Sequence, residues 1–329
     1  MTKNKRFYFL AVVCVLLGGS LAVSSARADD SLDDSASPTS SLKLNKSEKE
    51  KIHQKVDKEM AQDLDKDVTD IQMRAGSGSK SKWSSSYFFH YYGPAINDLT
   101  SGSRPLIGGQ RNPQPTDLDG NVGLRYRFDK NNSLFMAIGV YKSDPLHTNE
   151  AQQPVTFNNP MVDYNYTSKI FDGLQFGSDT EYIQSTVPYQ TSINQIGQFA
   201  SYLTIVKQLG HSRYDVGAWV NTWYDIFGNQ KVSSKVTSEQ NDIGFQAFPT
   251  LDYRPSDSVK LWTSFTVINQ MHYEVNPGFF QFTPAADYQY LGVGFAPTRD
   301  LYFDPYVAFE PAQVSFNRMI FNLTTDINF

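Results

Sequence analysis

The sequence predicts an all-β fold, a transmembrane antiparallel up-and-down β-barrel of about twelve strands that is preceded by an α-helix. Three observations predict it. The C-terminal run has an apolar side chain at almost every second position, the chain contains segments of roughly ten residues with strand character, and the connectors between these segments alternate between short and long. Strands of this length and alternation are what a bilayer-spanning barrel requires.

The final strand carries the clearest alternation. Its two interleaved sets are Met319, Phe321, Leu323, Thr325, Ile327 and Phe329 on one face, and Arg318, Asn322, Thr324, Asp326 and Asn328 on the other. A period of two places the first face against an apolar environment and the second face against a polar one.

This ending resembles the insertion signal of Gram-negative outer-membrane β-barrels. Asn322, Ile327 and Phe329 match its polar, apolar and terminal aromatic positions, whereas Thr324 stands where glycine is usual. The resemblance implies a protein that the barrel-assembly machinery inserts into the outer membrane, in contact with lipid and lipopolysaccharide. A soluble, half-buried strand that happens to end in Phe is the alternative.

The N-terminus predicts export. Basic residues precede an apolar stretch over residues 7–23, and Ala26 and Ala28 form a small-x-small cleavage site ahead of Asp29. Residues 1–28 are therefore predicted to be a secretory signal peptide. An uncleaved N-terminal anchor is the alternative, because the stretch is nearly long enough to span a bilayer.

Cleavage before Asp29 determines the chemistry of the mature chain. The single cysteine, Cys14, leaves with the signal, so we expect no disulfide and no thiolate metal site. The mature chain keeps 25 basic against 34 acidic residues, a net charge of −9. Nucleic acid is therefore not an expected partner.

Four regions are predicted after the signal. Residues 29–46 are rich in Asp and Ser and read as a disordered linker. Residues 47–75 read as a charged amphipathic helix in the periplasm that starts at a Ser47–Glu50 capping box. Residues 76–82 are a Gly/Ser linker, and residues 83–329 form the barrel. The helix has three readings: a spacer or binding element for a periplasmic partner, a helix that enters the barrel, or a solvated helix without a special role.

The barrel segment divides into twelve predicted strands, near 83–92, 121–128, 133–142, 162–171, 175–185, 195–208, 213–227, 243–254, 259–274, 286–296, 301–310 and 316–329. The second, fourth, sixth, eighth and tenth connectors are short. Most of the others are long, notably 93–120, 143–161 and 228–242. Short periplasmic turns and long extracellular loops produce this alternation, which places both termini in the periplasm.

Charged residues and tryptophans share the polar face of the strands, and the alternation predicts that they line the lumen. The candidates are Arg125, Arg127, Asp163, Lys169, Asp215, Trp219, Trp223, Asp225, Asp252, Arg254, Lys260, Trp262, Glu274, Asp304, Glu310, Arg318 and Asp326. The charges indicate either a solvated, ion-paired interior or a pore that filters solutes. The tryptophans could stack on sugar rings or fill a narrow barrel.

Signals for catalysis and metal binding are weak. Two sets combine a histidine with nearby side chains: His272 with Glu274 and Ser264, and His90 with Ser84 and Ser86. Neither lies in a known catalytic motif, and same-face residues two apart are separated by roughly 7 Å. The run Asp117, Asp119, Gly120, Asn121 could be a calcium loop or an ordinary Asp-Gly turn. We predict no enzyme, no metal and no cofactor.

Three functions from different classes remain. The first is a porin-like channel for small hydrophilic solutes, because twelve strands lie between the filled eight-stranded barrels and the open sixteen-stranded ones. The second is a structural or adhesive surface barrel that acts through its extracellular loops. The third is an outer-membrane hydrolase.

Overall fold

The structure is a computed structural model, and it describes residues 68–107, 114–146, 154–171, 173–228, 241–273, 278 and 281–329. The predicted cleavage residues Ala26 and Ala28 lie outside these ranges, as do the linker 29–46 and most of the predicted helix. Glu274 lies outside them as well.

The described residues form one antiparallel sheet of fourteen strands. These are β1 (Trp83–Ala95), β2 (Asp117–Arg127), β3 (Asn132–Ser143), β4 (Thr156–Phe171), β5 (Leu174–Gln184), β6 (Gln195–Gln208), β7 (Tyr214–Phe227), β8 (Asn241–Ser256), β9 (Val259–Phe265), β10 (Ile268–Tyr273), β11 (Phe282–Pro284), β12 (Gln289–Thr298), β13 (Leu301–Phe309) and β14 (Ile320–Asn328). Three short helices accompany them: α1 (Ile71–Gly76), α2 (Pro188–Ser192) and a 3-10 helix, Pro311–Gln313. No helix within the described ranges combines the length and the apolar content needed to cross a bilayer.

The fourteen strands occupy twelve strand positions in a closed barrel. β9 and β10 form one interrupted strand, with the break at Thr266 and Val267, since β8 pairs with both. β11 and β12 form a second interrupted strand, since they pair with β10 and β9 respectively. The ring closes where β1 pairs with β14, from Ser86 opposite Asn328 onward. The predicted twelve-stranded antiparallel barrel is confirmed.

Two strands begin several residues before their predicted start: β2 begins at Asp117 rather than near 121, and β4 at Thr156 rather than near 162. In β4 the pairing with β3 shifts between Ala137 and Gly139, and Asn159 has a positive φ of 45°. An extra residue in one strand reverses the in-out alternation. The period-two pattern therefore does not extend through the first part of β4, and a prediction based on that pattern stops short.

Adjacent residues separate sharply into an outer and an inner face. Leu124, Met136 and Leu261 are 53%, 44% and 44% exposed, whereas their neighbours Arg125 and Lys260 are 8% and 3% exposed. The outer surface is thus apolar and the inner surface is polar, the reverse of a soluble barrel. A bilayer buries such an apolar band, whereas water would leave it unfavourably exposed.

The predicted helix over 47–75 does not continue unbroken to its end. Val68–Asp70 are not helical, and Asp70 (φ −67°, ψ 125°) is the N-cap of α1, where its carboxylate accepts from the Met73 amide at 2.8 Å. The Gln175 side chain accepts from the amides of Thr69 and Asp70. These two amides would otherwise donate within a continuous helix, so the barrel wall competes with helix formation at this point.

Candidate functional site: the barrel lumen

Residues 68–79, called here the plug segment, lie inside the barrel. Two apolar contacts hold them: Val68 and Met73 pack against Val206, and Ile71 and Ala75 pack against Tyr302. Of the predicted readings of the N-terminal region, the structure therefore shows that its last part enters the barrel. The barrel-entering part is the short helix α1 and its flanking residues.

Hydrogen bonds to the wall follow the plug segment along its length. Oε1 of Gln175 accepts from the amides of Thr69 at 2.7 Å and Asp70 at 2.9 Å, while its Nε2 donates to the Thr69 hydroxyl at 3.0 Å. At the other end of α1, Nδ2 of Asn328 donates to the carbonyl of Ala75 at 2.9 Å. The side chains of β5 and β14 thus satisfy backbone groups that a six-residue helix leaves open.

A buried ion pair joins the plug segment to β9. Nζ of Lys260 lies 3.3 Å from Oδ2 of Asp70, and the two side chains are 4% and 2% exposed. Lys260 also donates to Oε1 of Gln72 at 3.1 Å and lies 3.9 Å from Asp252. Burial alone would raise the pKa of Asp70, but the charge of Lys260 and the Met73 amide outweigh it and hold the pKa below its ordinary value.

Arginines tie the end of the plug segment to the barrel rim. Arg127 donates to the carbonyls of Ser77 and Ser79 at 2.7 and 2.8 Å, and Arg299 donates to the carbonyl of Gly78. Arg127 ends β2, and Arg299 lies in the turn between β12 and β13. Both belong to the end of the barrel that carries the short connectors, called here the short-turn end. The plug segment therefore occupies the lumen at that end.

Beside the plug segment lies a cavity of about 590 Å³, called here the acidic chamber. Carboxyl groups dominate its wall, which also contains one lysine, one arginine and the imidazole of His90. The acids are Asp70, Asp119, Asp163, Asp179, Glu181, Asp252 and Asp326, and the bases are Arg125 and Lys260. With every carboxyl ionised and His90 neutral, the formal count is seven negative against two positive charges, or −5.

Two buried acceptors in the acidic chamber lack partners. Oδ1 of Asp163 and Oδ1 of Asn121 have no hydrogen bond within the part of the chain that the structure describes. The nearby Arg125 donates to the hydroxyls of Ser86 at 3.4 Å and Ser133 at 3.0 Å. Buried polar atoms normally find a partner, so these two oxygens, which are closed off from the chamber as well as from solvent, are unusual in its wall.

A second cavity of about 420 Å³, called here the aromatic chamber, adjoins the first and shares Gln72, His90, Tyr92, Trp219 and Asn221 with it. Its rings form a connected cluster: Trp219 to Trp262 at 5.3 Å between centroids, Trp262 to Tyr306 at 5.5 Å, and Tyr290 to Tyr306 at 6.0 Å. These distances are typical of favourable aromatic contacts.

Polar side chains punctuate the aromatic chamber. Nε1 of Trp262 donates to Asp304 at 2.7 Å, and the hydroxyl of Tyr306 bonds to Nε2 of His90 at 2.8 Å. Arg104, from the connector after β1, lies 3.2 Å from Asp117 and 5.3 Å from the centroid of the Tyr92 ring. The chamber thus combines aromatic faces with carboxylate and amide groups.

The structure distributes the sequence-predicted lumen residues over several environments. Those that line the two chambers are Arg125, Asp163, Trp219, Asp252, Lys260, Trp262, Asp304 and Asp326. Arg127 binds the plug segment, Asp215 pairs with Arg254 at 2.6 Å, and Asp225 accepts from Gln195 and Gln198. Trp223 packs over Gly244, where a Cβ atom would collide with the indole ring.

Three predicted residues lie away from the chambers. Glu310 and Arg318 pair at 2.9 Å in the connector between β13 and β14, rather than in the wall. The 3-10 helix at Pro311–Gln313 ends β13 there, because proline cannot donate to a strand ladder. Lys169 is exposed near the short-turn end of β4.

Residues of the resembled insertion signal lie along the closing seam. Asn322 lines the aromatic chamber, and Ile327 lies opposite Tyr87 of β1. Phe329 is 76% exposed, and its backbone exchanges two hydrogen bonds with Ser85, at 2.9 and 3.0 Å.

Sequence reasoning missed several chamber residues, namely Tyr92, Asp119, Asp179, Glu181, Tyr290 and Tyr306. A signal existed for Tyr306, which lies two residues after Asp304 on the same face of β13. Asp179 and Glu181 belong to β5, where the alternate positions Ser178 and Thr180 are polar as well. The alternation there is too weak to assign a face.

The geometry does not support the candidate catalytic set around His272 or the candidate calcium loop. Nδ1 of His272 bonds to Asp242 and its Nε2 lies 3.3 Å from the Gly278 carbonyl, so both ring nitrogens contact acceptors. Ser264 donates to the Pro249 carbonyl at 3.2 Å. The run from Asp117 to Asn121 is neither loop nor turn but the start of β2. Across the described ranges, no group of His, Cys, Asp or Glu side chains could hold a metal ion.

The closed barrel, its apolar outer band and its polar lumen together define an outer-membrane β-barrel of porin-like architecture. No protein-family model matches the chain, and no curated protein resembles it significantly in sequence.

Solved structures resemble it in fold. The NanC porin has 10% identity and a TM-score of 0.42, over 75% of this chain and 98% of that one. The KdgM porin in complex with disordered oligogalacturonate has 9% identity and a TM-score of 0.41, over 74% and 99%. The COG4313 outer membrane channel from Pseudomonas putida F1 has 9% identity and a TM-score of 0.44, over 75% and 96%. At these identities the likeness concerns the barrel fold alone.

Proposed function

We propose that this protein is a porin-like channel that passes small hydrophilic solutes across the outer membrane, and that the plug segment controls its periplasmic mouth. The observation that carries the proposal is the lumen itself. Two adjoining cavities of about 590 and 420 Å³, lined by charged, amide and aromatic side chains, lie inside a barrel whose outer surface is apolar. A barrel that served only as a surface scaffold would not need such cavities.

The orientation follows from the connectors. Outer-membrane barrels keep short turns in the periplasm and long loops outside the cell. The plug segment lies at the short-turn end, where Arg127 and Arg299 hold it, so it closes the channel from the periplasmic side.

Release of the plug segment would open a continuous path. Its ties are the Asp70–Lys260 ion pair, the Gln175 bonds and the arginine contacts, all polar and all replaceable by water. The apolar contacts are few, with Val206 and Tyr302 as the main wall residues. The docked state is thus held mainly by polar groups, which water can hydrate once the plug segment leaves the lumen.

Single-channel recording tests the proposal. The refolded mature chain from Asp29 should show low or intermittent conductance, and a variant without residues 29–79 should conduct steadily at a higher level. Heat-modifiable migration on gels verifies that both barrels are folded. Folded barrels that never conduct, with or without the plug segment, would favour the structural or adhesive alternative.

A further inference from the structure

We infer that the lumen binds an organic cation, with its ammonium or amidinium group in the acidic chamber and its carbon skeleton against the rings of the aromatic chamber. The inference rests on the proposed channel function, because it names the class of solute that the channel would select.

The charge of the acidic chamber favours a cation. Its seven carboxyl groups face one arginine, one lysine and the imidazole of His90. Lys260 is already engaged by Asp70 and Asp252, and Arg125 donates to the hydroxyls of Ser86 and Ser133. Since charges inside a lumen are screened less than charges in bulk water, each ionised carboxyl in this excess repels anions and attracts cations.

Unpartnered acceptors favour a cation that carries N–H groups. Asp163 is 7% exposed, and its Oδ1 has no partner within the described residues, nor has Oδ1 of Asn121. Both residues line the acidic chamber. Both oxygens are buried below the chamber surface, so Asp163 would turn a carboxyl oxygen toward the chamber to accept from an ammonium or amidinium group. A neutral hydroxyl compound would offer a donor without balancing the charge.

The aromatic chamber favours an organic rather than an inorganic cation. Trp219, Trp262 and Tyr306 form an unbroken chain of ring contacts around the cavity. Rings bind cations through their faces and carbon skeletons by contact. The protein already makes one such contact, between the guanidinium of Arg104 and the Tyr92 ring at 5.3 Å. A neutral sugar would also stack on these rings, but it would not interact favourably with the excess of carboxyl groups in the adjoining acidic chamber.

The test compares two ligands of the same shape. Benzamidine is a cation at neutral pH, and benzamide is its planar neutral counterpart. Isothermal titration calorimetry on the refolded mature chain should show that benzamidine binds at least about tenfold more tightly than benzamide, a ratio that one charge-assisted contact can supply. Glucose serves as the neutral sugar probe and should bind more weakly than benzamidine.

A charge-neutral variant locates the site. Asp163→Asn keeps the shape of the side chain and removes its charge, so it should weaken benzamidine binding about fivefold or more while benzamide binding stays the same. Asp98→Asn, in the exposed connector after β1, is the matched control and should leave both affinities unchanged.

The outcomes separate this inference from the proposed function. Equal binding of benzamidine and benzamide, tighter binding of glucose, or unchanged benzamidine affinity in folded Asp163→Asn overturns the cation site even if the barrel conducts. If the variant does not fold, the comparison of the two ligands on the wild type decides. Selective benzamidine binding to a folded barrel that never conducts supports the cation site and rejects the channel.

Discussion

The ammonium group of Lys260 and the carboxylate of Asp70 lie 3.3 Å apart, although 190 residues separate them in the chain. Asp70 caps the plug helix, and Lys260 belongs to the barrel wall. This pair therefore couples the position of the plug segment to the inner surface of the barrel, and its state should determine whether the channel is open.

Removal of the cation should release the plug segment. Lys260→Met leaves the Asp70 carboxylate buried without its main partner, and breaking a buried pair in this way costs about 3–5 kcal/mol. We expect a large rise in the open fraction of single channels and faster proteolysis within residues 68–79. Lys142→Met in β3 is the control. Unchanged gating in folded Lys260→Met would show that the pair does not hold the plug segment.

The ion pair also predicts a pH dependence. The pKa of Asp70 is lower when docked than its ordinary value, so its contribution to docking is fully present above the ordinary value and is lost as the pH falls through the docked value. The difference in open fraction between wild type and Asp70→Asn should be constant from about pH 5 to 8 and should shrink below about pH 4. A difference that already disappears at about pH 6 would mean that the docked carboxyl is protonated there, contrary to the structure.

Two neighbouring arginines should have separable effects. Arg125 lines the acidic chamber, whereas Arg127 binds the carbonyls of Ser77 and Ser79. Arg125→Gln should shift the reversal potential toward cation preference, because it makes the lumen more acidic. Arg125 packs against Gly78 but its hydrogen bonds go to Ser86 and Ser133, so the variant should raise the open fraction less than Arg127→Gln does. Arg127→Gln should raise the open fraction with little change in selectivity. Recordings in asymmetric KCl distinguish the two, and an exchange of these phenotypes would refute the assignment.

The residue before them tests the facing of β2. Leu124 is 53% exposed on the outer surface, and an arginine on the lipid face costs about 2–4 kcal/mol near the bilayer midplane. Leu124→Arg should therefore reduce assembly, measured as the heat-modifiable fraction of the protein. Normal assembly of this variant together with failure of Arg125→Gln would mean that the strand is inside out.

The terminal aromatic residue should be needed for assembly. Phe329 exchanges backbone hydrogen bonds with Ser85, and its ring packs edge-on to Tyr87 at 6.0 Å. Deletion of Phe329 removes both contributions, while Phe329→Ala keeps the backbone bonds. If the aromatic group acts as an insertion signal, both variants should accumulate in the periplasm or be degraded. Normal surface exposure of both would contradict that role.

The strand layout could be predicted from the sequence because period-two alternation is local. The apolar side chains of Met136 and Ile138 predict the lipid-facing side of β3 from the local sequence alone. The alternation fails where an added residue shifts the pairing, as at Asn159 in β4, and where both faces are polar, as in β5. These are the places where the predicted boundaries or facing assignments were incomplete.

Entry into the barrel was one of three readings of the N-terminal helix, but the contacts that dock the plug segment could not be predicted, because its partners are distant in sequence. Gln175 lies 105 residues from Asp70, and Lys260 lies 190 residues away. The apolar stripe and capping box that predict a helix over 47–75 describe local preference only. At Val68–Asp70 the side-chain oxygen of Gln175 accepts from two backbone amides, and this contact competes with the helical preference. A contact between residues so far apart leaves no local sequence pattern.

The central claim is that the lumen is a conduction path closed by residues 68–79. The most direct measurement is the single-channel conductance of the folded mature chain beside that of the same chain without residues 29–79. We expect the chain without residues 29–79 to conduct steadily and at a higher level, and to prefer cations because of the acidic chamber. Equal conductance of the two proteins, or no conductance in either, would contradict it.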